Sequence, residues 1–295
     1  MAISRRRPIT RISRKYAAAL LLTTGLAWSG PASDSVTVTG YSNYVGAYTL
    51  SGNGQPTMTG YGGAFEGAIV AGMPSQTYSR MLFCDDFSNY VGIPSDTVQV
   101  DITSLEAGAD FLNQTRFGAV TNWRAVESSL PPGESLSPDV ANTIDSANSL
   151  ERYEMAAYLA SNFSFFDSGA PNWDTYYSDT NDIGIQSAIW DILNPASDLY
   201  LPPASARQDG NVTTWLTNAA NWLPTAGTPA NQAFLSRFQI VSDVAIAQAS
   251  GDAKTQVGIQ EFLIAQPVPE PGFYGLLSVS LGALLWAVRR GSRLR

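Results

Sequence analysis

Alternating apolar and polar residues mark the first part of the chain's middle region, and this two-residue period is typical of β-strands. The alternation is clearest at residues 36–38 and 45–50, and Asn53-Gly54 predicts a hairpin turn after the second run. Residues 78–83 and 96–102 predict two further strands. We therefore expect the early part of the chain to form a sheet.

Helical spacing replaces this alternation in the later part of the chain, where apolar residues recur every three to four positions. The predicted helices cover residues 149–162, 182–193 and 213–223, and a closing strand covers residues 257–264. Asn181 or Asp182 can cap the second helix, and Pro195 stops it. This order predicts an α+β fold, a β-rich sandwich or barrel with an inserted helical part.

The N-terminus has the order of a secretory signal peptide. Basic residues lie at positions 5–15, an apolar run follows at residues 17–28, and small residues come after it. Cleavage after Ser29 and cleavage after Ala32 both fit. Export by the general secretory route is expected rather than the twin-arginine route, because the residues after the paired arginines continue that motif poorly. An uncleaved N-terminal anchor is the alternative.

A second apolar segment lies at the C-terminus. Residues 272–288 carry no charge, and about 17 residues is the lower limit for a helix that crosses a bilayer. Arg289, Arg290 and two later arginines would stay on the cytoplasmic side, which predicts a single transmembrane helix. The segment has no polar face, which disfavours the alternative of a helix lying at the membrane surface.

This C-terminal segment resembles the PEP-CTERM sorting signal of Gram-negative and related bacteria. The resemblance rests on Pro269-Glu270-Pro271, the short apolar helix and the cluster that starts with Arg289 and Arg290, in that order. It implies that an exosortase recognises Pro269, Glu270 and Pro271 and cuts near them. These residues would be part of a substrate, and the implied partners are the membrane and the processing enzyme.

Charge separates the middle of the chain from its ends. All 25 acidic residues lie between Asp34 and Glu270, but only seven of the 17 basic residues do, so the exported part carries a net charge of about −18. Such a surface repels phosphate groups, which excludes nucleic acid as a partner. The expected organisation is a signal peptide at residues 1–32, an exported acidic α+β domain at residues 33–266 and a sorting segment at residues 267–295.

The residue inventory restricts the chemistry. The chain has no histidine, the usual general base, and its one cysteine, Cys84, cannot form an internal disulfide or a multi-thiolate zinc site. An enzyme would rest on carboxylates, but no spacing selects a catalytic pair, and an acidic surface accounts for most of them. We therefore expect no catalytic residue, metal or cofactor.

Two weaker features point to ligands. Acidic residues could bind calcium, although solvated acids are the favoured interpretation, and aromatic residues could stack on sugars, although core positions are favoured. The calcium candidates are Asp85, Asp86, Asp96, Asp174, Asp179 and Asp182. The aromatic candidates are Tyr41, Tyr44, Tyr48, Trp173, Tyr176 and Tyr177.

Two short motifs about a hundred residues apart concern Cys84, which ends a predicted strand and is followed by Asp85. The pair resembles the thioester domains of bacterial surface adhesins, which carry an aromatic-Cys motif and a later Thr-Gln-x-Ala-apolar-Trp motif. The matching residues are Phe83, Cys84, Gln186, Ala188, Ile189 and Trp190. Ile185 replaces the family's threonine, and Gln114 is the candidate for an additional glutamine motif.

The resemblance implies that Cys84 and Gln186 condense with loss of ammonia to form an internal thioester. Proximity of the thiol and the amide would favour this step, whereas Asp85 and Asp86 would oppose it by raising the pKa of the thiol. The residues expected to form a dry apolar wall against hydrolysis are Phe83, Ile189 and Trp190. The alternative is a buried free cysteine that packs as a small hydrophobic residue.

Together these features predict an exported bacterial protein, first an inner-membrane-anchored precursor and then a component of the cell envelope, outer surface or extracellular matrix. The expected function is surface adhesion or association with exopolysaccharide, through a single reaction of the thioester with surface amine or hydroxyl groups and without enzymatic turnover. The second interpretation is a non-reactive structural matrix protein. The third is a carboxylate-dependent glycan hydrolase.

Overall fold

The structure is a computed structural model, and it describes most of the chain between Asp34 and Ala265. The described residues are 34–52, 58–71, 76–87, 95, 97–130, 133–163, 180–197, 200–201, 211–250, 253–254 and 257–265. They all belong to one compact unit. The predicted signal peptide and the predicted sorting segment lie outside them.

A curled antiparallel sheet forms the first layer of the fold. Its described strands are β1 (Ser35–Gly52), β2 (Met58–Ala71), β3 (Gln76–Cys84), β4 (Val98–Ser104), β5 (Tyr200–Leu201), β6 (Phe238–Asp243) and β7 (Phe262–Ala265). β1 pairs with both β2 and β4, so six strands follow one another in the ring β1-β2-β3-β7-β6-β4. The short β5 pairs with the far end of β1.

β1 and β2 form a long hairpin, as the alternating pattern predicts. Their register runs from Ser35 opposite Val70 to Leu50 opposite Met58, and the turn itself lies outside the described residues. Register shifts interrupt the β1–β2 ladder three times, and such bulges bend and twist a strand. This bending lets the sheet curl far enough for β1 to meet β4.

Helices between β4 and β6, with one more after β6, form the second layer. The described helices are α1 (Ala109–Gln114), α2 (Pro138–Ser146), α3 (Ser149–Ala160), α4 (Thr180–Ile192), α5 (Val212–Trp222), α6 (Pro229–Leu235) and α7 (Val244–Gln248). α3 begins with a capping box, in which Asn148 and Glu151 each accept a hydrogen bond from the other's backbone N–H. Strands and helices together confirm the predicted α+β class.

Two sequence predictions of element bounds need correction. α4 already begins at Thr180, so neither Asn181 nor Asp182 is its cap, and Gln186 lies in its second turn. The predicted closing strand is confined to β7, because residues 257–261 form no ladder pairs. β7 pairs with β3 on one side and with β6 on the other.

Two hydrophobic clusters meet at the sheet because successive strand residues face opposite sides. The first cluster joins the helices to the outer face of the sheet, and it contains Phe83 and Leu263. The second cluster draws on all six strands of the ring and therefore fills its interior. It contains Cys84 and Phe262, and Trp190 of α4 reaches into it. No helix within the described ranges is long and apolar enough to cross a membrane.

Candidate functional site around Cys84

Cys84 is the last residue of β3, and its side chain is fully buried at one end of the ring interior. The indole N–H of Trp190 donates to the Cys84 Sγ at 3.3 Å, and the thiol donates to the carbonyl oxygen of Asp86 at 3.3 Å. Phe87 packs against Trp190 with their ring centroids 6.0 Å apart. The sulfur therefore lies in a closed pocket of aromatic rings and hydrogen-bonding groups.

Gln186 is brought to the same place by α4. Trp190 lies four positions after it, so both side chains leave the same face of the helix. The Gln186 Nε2 donates to the carbonyl oxygen of Cys84 at 2.7 Å. The Gln186 Oε1 is buried and has no hydrogen-bond partner. Residues 102 positions apart in sequence are therefore in direct contact, with a buried amide held beside a buried thiol.

The apolar wall differs from the one expected from the sequence. Trp190 contacts the thiol as predicted, but Phe83 and Ile189 belong to the other hydrophobic cluster, on the helix-facing side of the sheet. Phe83 stacks on Phe163 there, with their ring centroids 5.6 Å apart. Strand alternation explains the difference, because consecutive residues of β3 cannot both face the ring interior. Phe87 takes the place that the sequence assigned to Phe83.

A second glutamine also reaches the thiol. The Gln260 Nε2 contacts both the Cys84 Sγ and the carbonyl oxygen of Asp86. The sequence pointed instead to Gln114, but the Gln114 Oε1 accepts a hydrogen bond from the hydroxyl of Thr103, 3.0 Å away. Gln260 lies two residues before Phe262, the first residue of β7, and it meets Cys84 because β7 pairs with β3.

The thiol is held in its protonated form. Burial raises the pKa of Cys84 well above its usual value, and the negative charges of Asp85 and Asp86 raise it further. The hydrogen bonds with Trp190 and the Asp86 backbone oppose this rise. The sequence correctly predicted the effect of the two acids, but burial is the larger cause. A free thiolate is therefore not the resting state of this site.

Behind the thiol lies a buried ionic cluster that the sequence did not predict. The Arg116 Nε forms an ion pair with the Asp86 Oδ2 at 2.7 Å. The same guanidinium donates to the carbonyl oxygens of Lys254 and Ile259, each at 2.7 Å. Arg116 thus joins the segment after Cys84 to the segment before Gln260. The thiol contacts the Asp86 carbonyl oxygen in the first segment and Gln260 next to the second, so this arginine links the two parts of the chain that contact the thiol.

Glu261 is the second acid of this cluster and is fully buried. Its Oε1 accepts a hydrogen bond from the Tyr153 hydroxyl, and its Oε2 accepts from the Ser242 hydroxyl and from the Arg116 backbone N–H, the latter at 2.7 Å. Burial raises the pKa of Glu261, and Arg116 opposes that rise most strongly. Every oxygen of this carboxyl group therefore has a donor.

Asp85 is the exception among the buried acids. It is fully buried, and neither of its carboxyl oxygens accepts a hydrogen bond from another residue, although its own backbone N–H favours the charged form. Burial raises its pKa well above the usual range, and the charges of Glu261 and Asp86 add to that effect, whereas Arg116 opposes it. Buried unpaired polar groups are uncommon in folded proteins, so this one calls for an explanation.

Four of the aspartates are buried and therefore are not part of the expected solvated acidic surface. Asp85, Asp86, Asp182 and Asp191 are at most 2% exposed. The burial of two of them has an evident stabilising contact. Asp86 pairs with a buried guanidinium, and Asp182 lies in the first turn of α4, where the helix dipole favours a negative charge. Among the described residues, no group of three or more acids, cysteines and histidines is arranged to hold a metal ion.

Other predicted residues lie outside the description. The sorting residues are Pro269, Glu270, Pro271, Arg289 and Arg290, and the remaining calcium candidates are Asp96, Asp174 and Asp179. The structure also gives no side-chain description of the aromatic candidates for sugar stacking. Comparison with known proteins found no match among protein-family models, curated proteins or solved structures.

Proposed function

We propose that this protein is an exported surface protein whose folded domain forms an internal thioester between Cys84 and Gln186. The observation that carries the proposal is the contact between the Gln186 side-chain amide and the Cys84 backbone, 2.7 Å long, within a fully buried site. A reactive thioester needs such a site, because contact replaces a bimolecular encounter and burial keeps water away.

The condensation is balanced without any further reactant. The Cys84 sulfur attacks the side-chain carbonyl carbon of Gln186 and forms a sulfur–carbon bond. The bond between that carbon and Nε2 breaks, and the thiol proton leaves with the nitrogen as ammonia. The thioester is then an acyl donor, and an amine or hydroxyl group on another surface attacks the carbonyl and releases the thiol. The result is one covalent attachment per protein molecule.

The predicted targeting signals at the two ends of the chain complete the proposal. The N-terminal signal peptide and the C-terminal segment resembling a PEP-CTERM signal would deliver the domain across the membrane and present it for processing by an exosortase. Its final place is the envelope, the outer surface or the extracellular matrix. There, amine and hydroxyl groups of exopolysaccharide or of neighbouring cells are the acceptors, and the biological role is adhesion.

The experiment treats the exported protein, purified from its own envelope, with methylamine. Trypsin cleavage at Arg80, Arg116, Arg152 and Arg207 separates Cys84 and Gln186 into peptides 81–116 and 153–207. We expect an N-methylamide on Gln186 and a newly alkylatable Cys84. Glycerol in place of methylamine tests hydroxyl acceptors.

The controls are Cys84→Ala, which cannot form the bond, and peptide mapping, which separates modification of Gln186 from modification of Gln260. A methylamide on Gln260 would show that Gln260, and not Gln186, supplies the acyl group of the thioester. Untreated protein in which Cys84 is fully alkylated once the chain has been unfolded would support a non-reactive matrix protein instead. Loss of polysaccharide turnover on removal of one carboxylate would support a hydrolase.

A further inference from the structure

The indole N–H of Trp190 points at the Cys84 sulfur, the atom that bonds to carbon in the proposed thioester. The Trp190 Nε1 lies 3.3 Å from the Cys84 Sγ, and both residues are at most 2% exposed. Phe87 packs against the indole ring with the two ring centroids 6.0 Å apart. Gln186 lies one helical turn earlier on the same face of α4. Packing therefore holds this N–H donor beside both reacting groups.

A protonated thiol is a poor match for this donor, because its sulfur is only a weak hydrogen-bond acceptor. A second N–H donor, the Gln260 Nε2, nevertheless contacts the same sulfur. The thiol proton is directed away from both donors, to the carbonyl oxygen of Asp86. Hydrogen bonds to charged groups are stronger than those to neutral groups. The surroundings of the sulfur therefore fit a negatively charged atom better than a neutral thiol.

The need to pair a buried indole N–H does not by itself explain the contact. Such groups usually find a partner, but the Trp215 Nε1 is buried and has no partner among the described residues. The fold thus tolerates an unpaired indole N–H there. Burial raises the pKa of Cys84, and among the contacts that oppose this rise the hydrogen bond from Trp190 is the strongest. The contact therefore favours the charged sulfur.

We propose that the Trp190 indole N–H stabilises the negative charge that the Cys84 sulfur carries when the thioester reacts with its acceptor. This inference rests on the proposed thioester and names the residue that sets how fast the bond opens.

The charge arises when the sulfur leaves. An amine of the acceptor attacks the side-chain carbonyl carbon of Gln186, and a nitrogen–carbon bond forms. The sulfur–carbon bond breaks, its electron pair stays on the Cys84 sulfur, and the proton that the amine loses ends on that sulfur. Until the proton arrives, burial and the charges of Asp85 and Asp86 disfavour the negative sulfur. A donor already in place, whose hydrogen bond strengthens at that moment, lowers the barrier.

The test compares the wild type, Trp190→Phe and Trp215→Phe as purified full-length chains. Phenylalanine keeps an aromatic ring but removes the N–H. Trp215 is the matched control, because its buried indole N–H makes no hydrogen bond within the described part of the chain. The measurement is the rate at which methylamine opens the thioester, read from the mass of the peptide that carries Gln186.

Removing one donor from an oxyanion site slows a reaction about 10²–10³-fold. Sulfur is a weaker acceptor than oxygen, so we expect Trp190→Phe to slow the opening by at least about 10-fold. Trp215→Phe should keep the wild-type rate. Opening of Trp190→Phe at the wild-type rate would overturn the role of Trp190 and leave the thioester standing. A wild type of full mass that takes up no methylamine would overturn the thioester and this inference with it.

Two further comparisons decide the question if Trp190→Phe yields no thioester. If the variant folds, the alkylation rate of its free Cys84 is compared with that in Gln186→Ala, which keeps the indole. We then expect slower alkylation in Trp190→Phe, and equal or faster alkylation would overturn the inference. If the variant does not fold, benzothienylalanine at position 190 keeps the two-ring shape and replaces the N–H by sulfur. The same slowing is expected there, and opening at the wild-type rate would overturn the inference.

Discussion

Replacing Tyr153 by phenylalanine tests whether the buried ionic cluster holds the site together. The Tyr153 hydroxyl donates to the Glu261 Oε1 and accepts from the Phe117 backbone N–H at 3.2 Å. Phenylalanine keeps the ring and its packing against Phe111, at 5.5 Å between centroids, but it removes both hydrogen bonds. The Glu261 Oε1 then loses its donor inside a site that water does not reach.

Hydrogen bonds to charged groups contribute about 1.5–3 kcal/mol. We therefore expect Tyr153→Phe to lower the free energy of unfolding by about 2 kcal/mol, which for a domain of this size corresponds to a fall of roughly 4–8 °C in melting temperature. Thermal unfolding of the purified protein, followed by tryptophan fluorescence, measures the change.

Tyr158→Phe is the matched control because Tyr158 lies on the same helix, half-exposed and stacked on Trp222 at 4.9 Å between centroids. Its hydroxyl forms no hydrogen bond among the described contacts, so its removal should change the stability by at most about 0.5 kcal/mol. Equal melting temperatures for the two variants would refute the reasoning, because the Tyr153–Glu261 contact would then contribute nothing.

Two further predictions concern packing and pH. Gly67→Ala should lower the free energy of unfolding by about 1–3 kcal/mol through overpacking, because an added Cβ would lie 2.4 Å from the Leu82 Cδ1. Gly108→Ala is the control, because a Cβ there meets open space. Equal urea midpoints for the two variants would contradict this prediction. Burial and neighbouring carboxylates raise the pKa of Asp85, so the folded protein retains a proton that the unfolded chain loses above about pH 4. This retained proton stabilises the folded state fully below that pH, and the stabilisation is lost as the pH rises through the pKa of Asp85 in the folded protein. Urea midpoints of the wild type should therefore fall with pH more steeply than those of Asp85→Asn, and parallel curves would refute the assignment.

Local sequence patterns predicted the strands and helices whose residues show a clear hydrophobic period. The alternating residues predicted β1 and β3, whereas β2 was not predicted as a strand. Three-to-four-residue spacing predicted α3 and α5 to within two residues. α2 was missed although it carries a usable signal, since Ser137 caps it and Pro138 occupies its first turn. β6 was missed because its six residues alternate only partly and lie on both sides of the sheet.

Only the residues of the site that belong to short sequence motifs could be predicted from the sequence. Cys84 and Gln186 could be paired through a family resemblance, and the structure brings them into contact. Gln260, Glu261 and Arg116 could not be added, because they reach the thiol through strand pairing and a buried ion pair between distant segments. No spacing in the sequence records such contacts.

The most direct measurement is the mass of the folded protein purified from its native host, compared peptide by peptide with the mass calculated from its sequence. The thioester predicts that peptides 81–116 and 153–207 are joined and that the pair is lighter by one ammonia molecule. Two separate peptides of full mass, with Cys84 open to alkylation, would contradict the account.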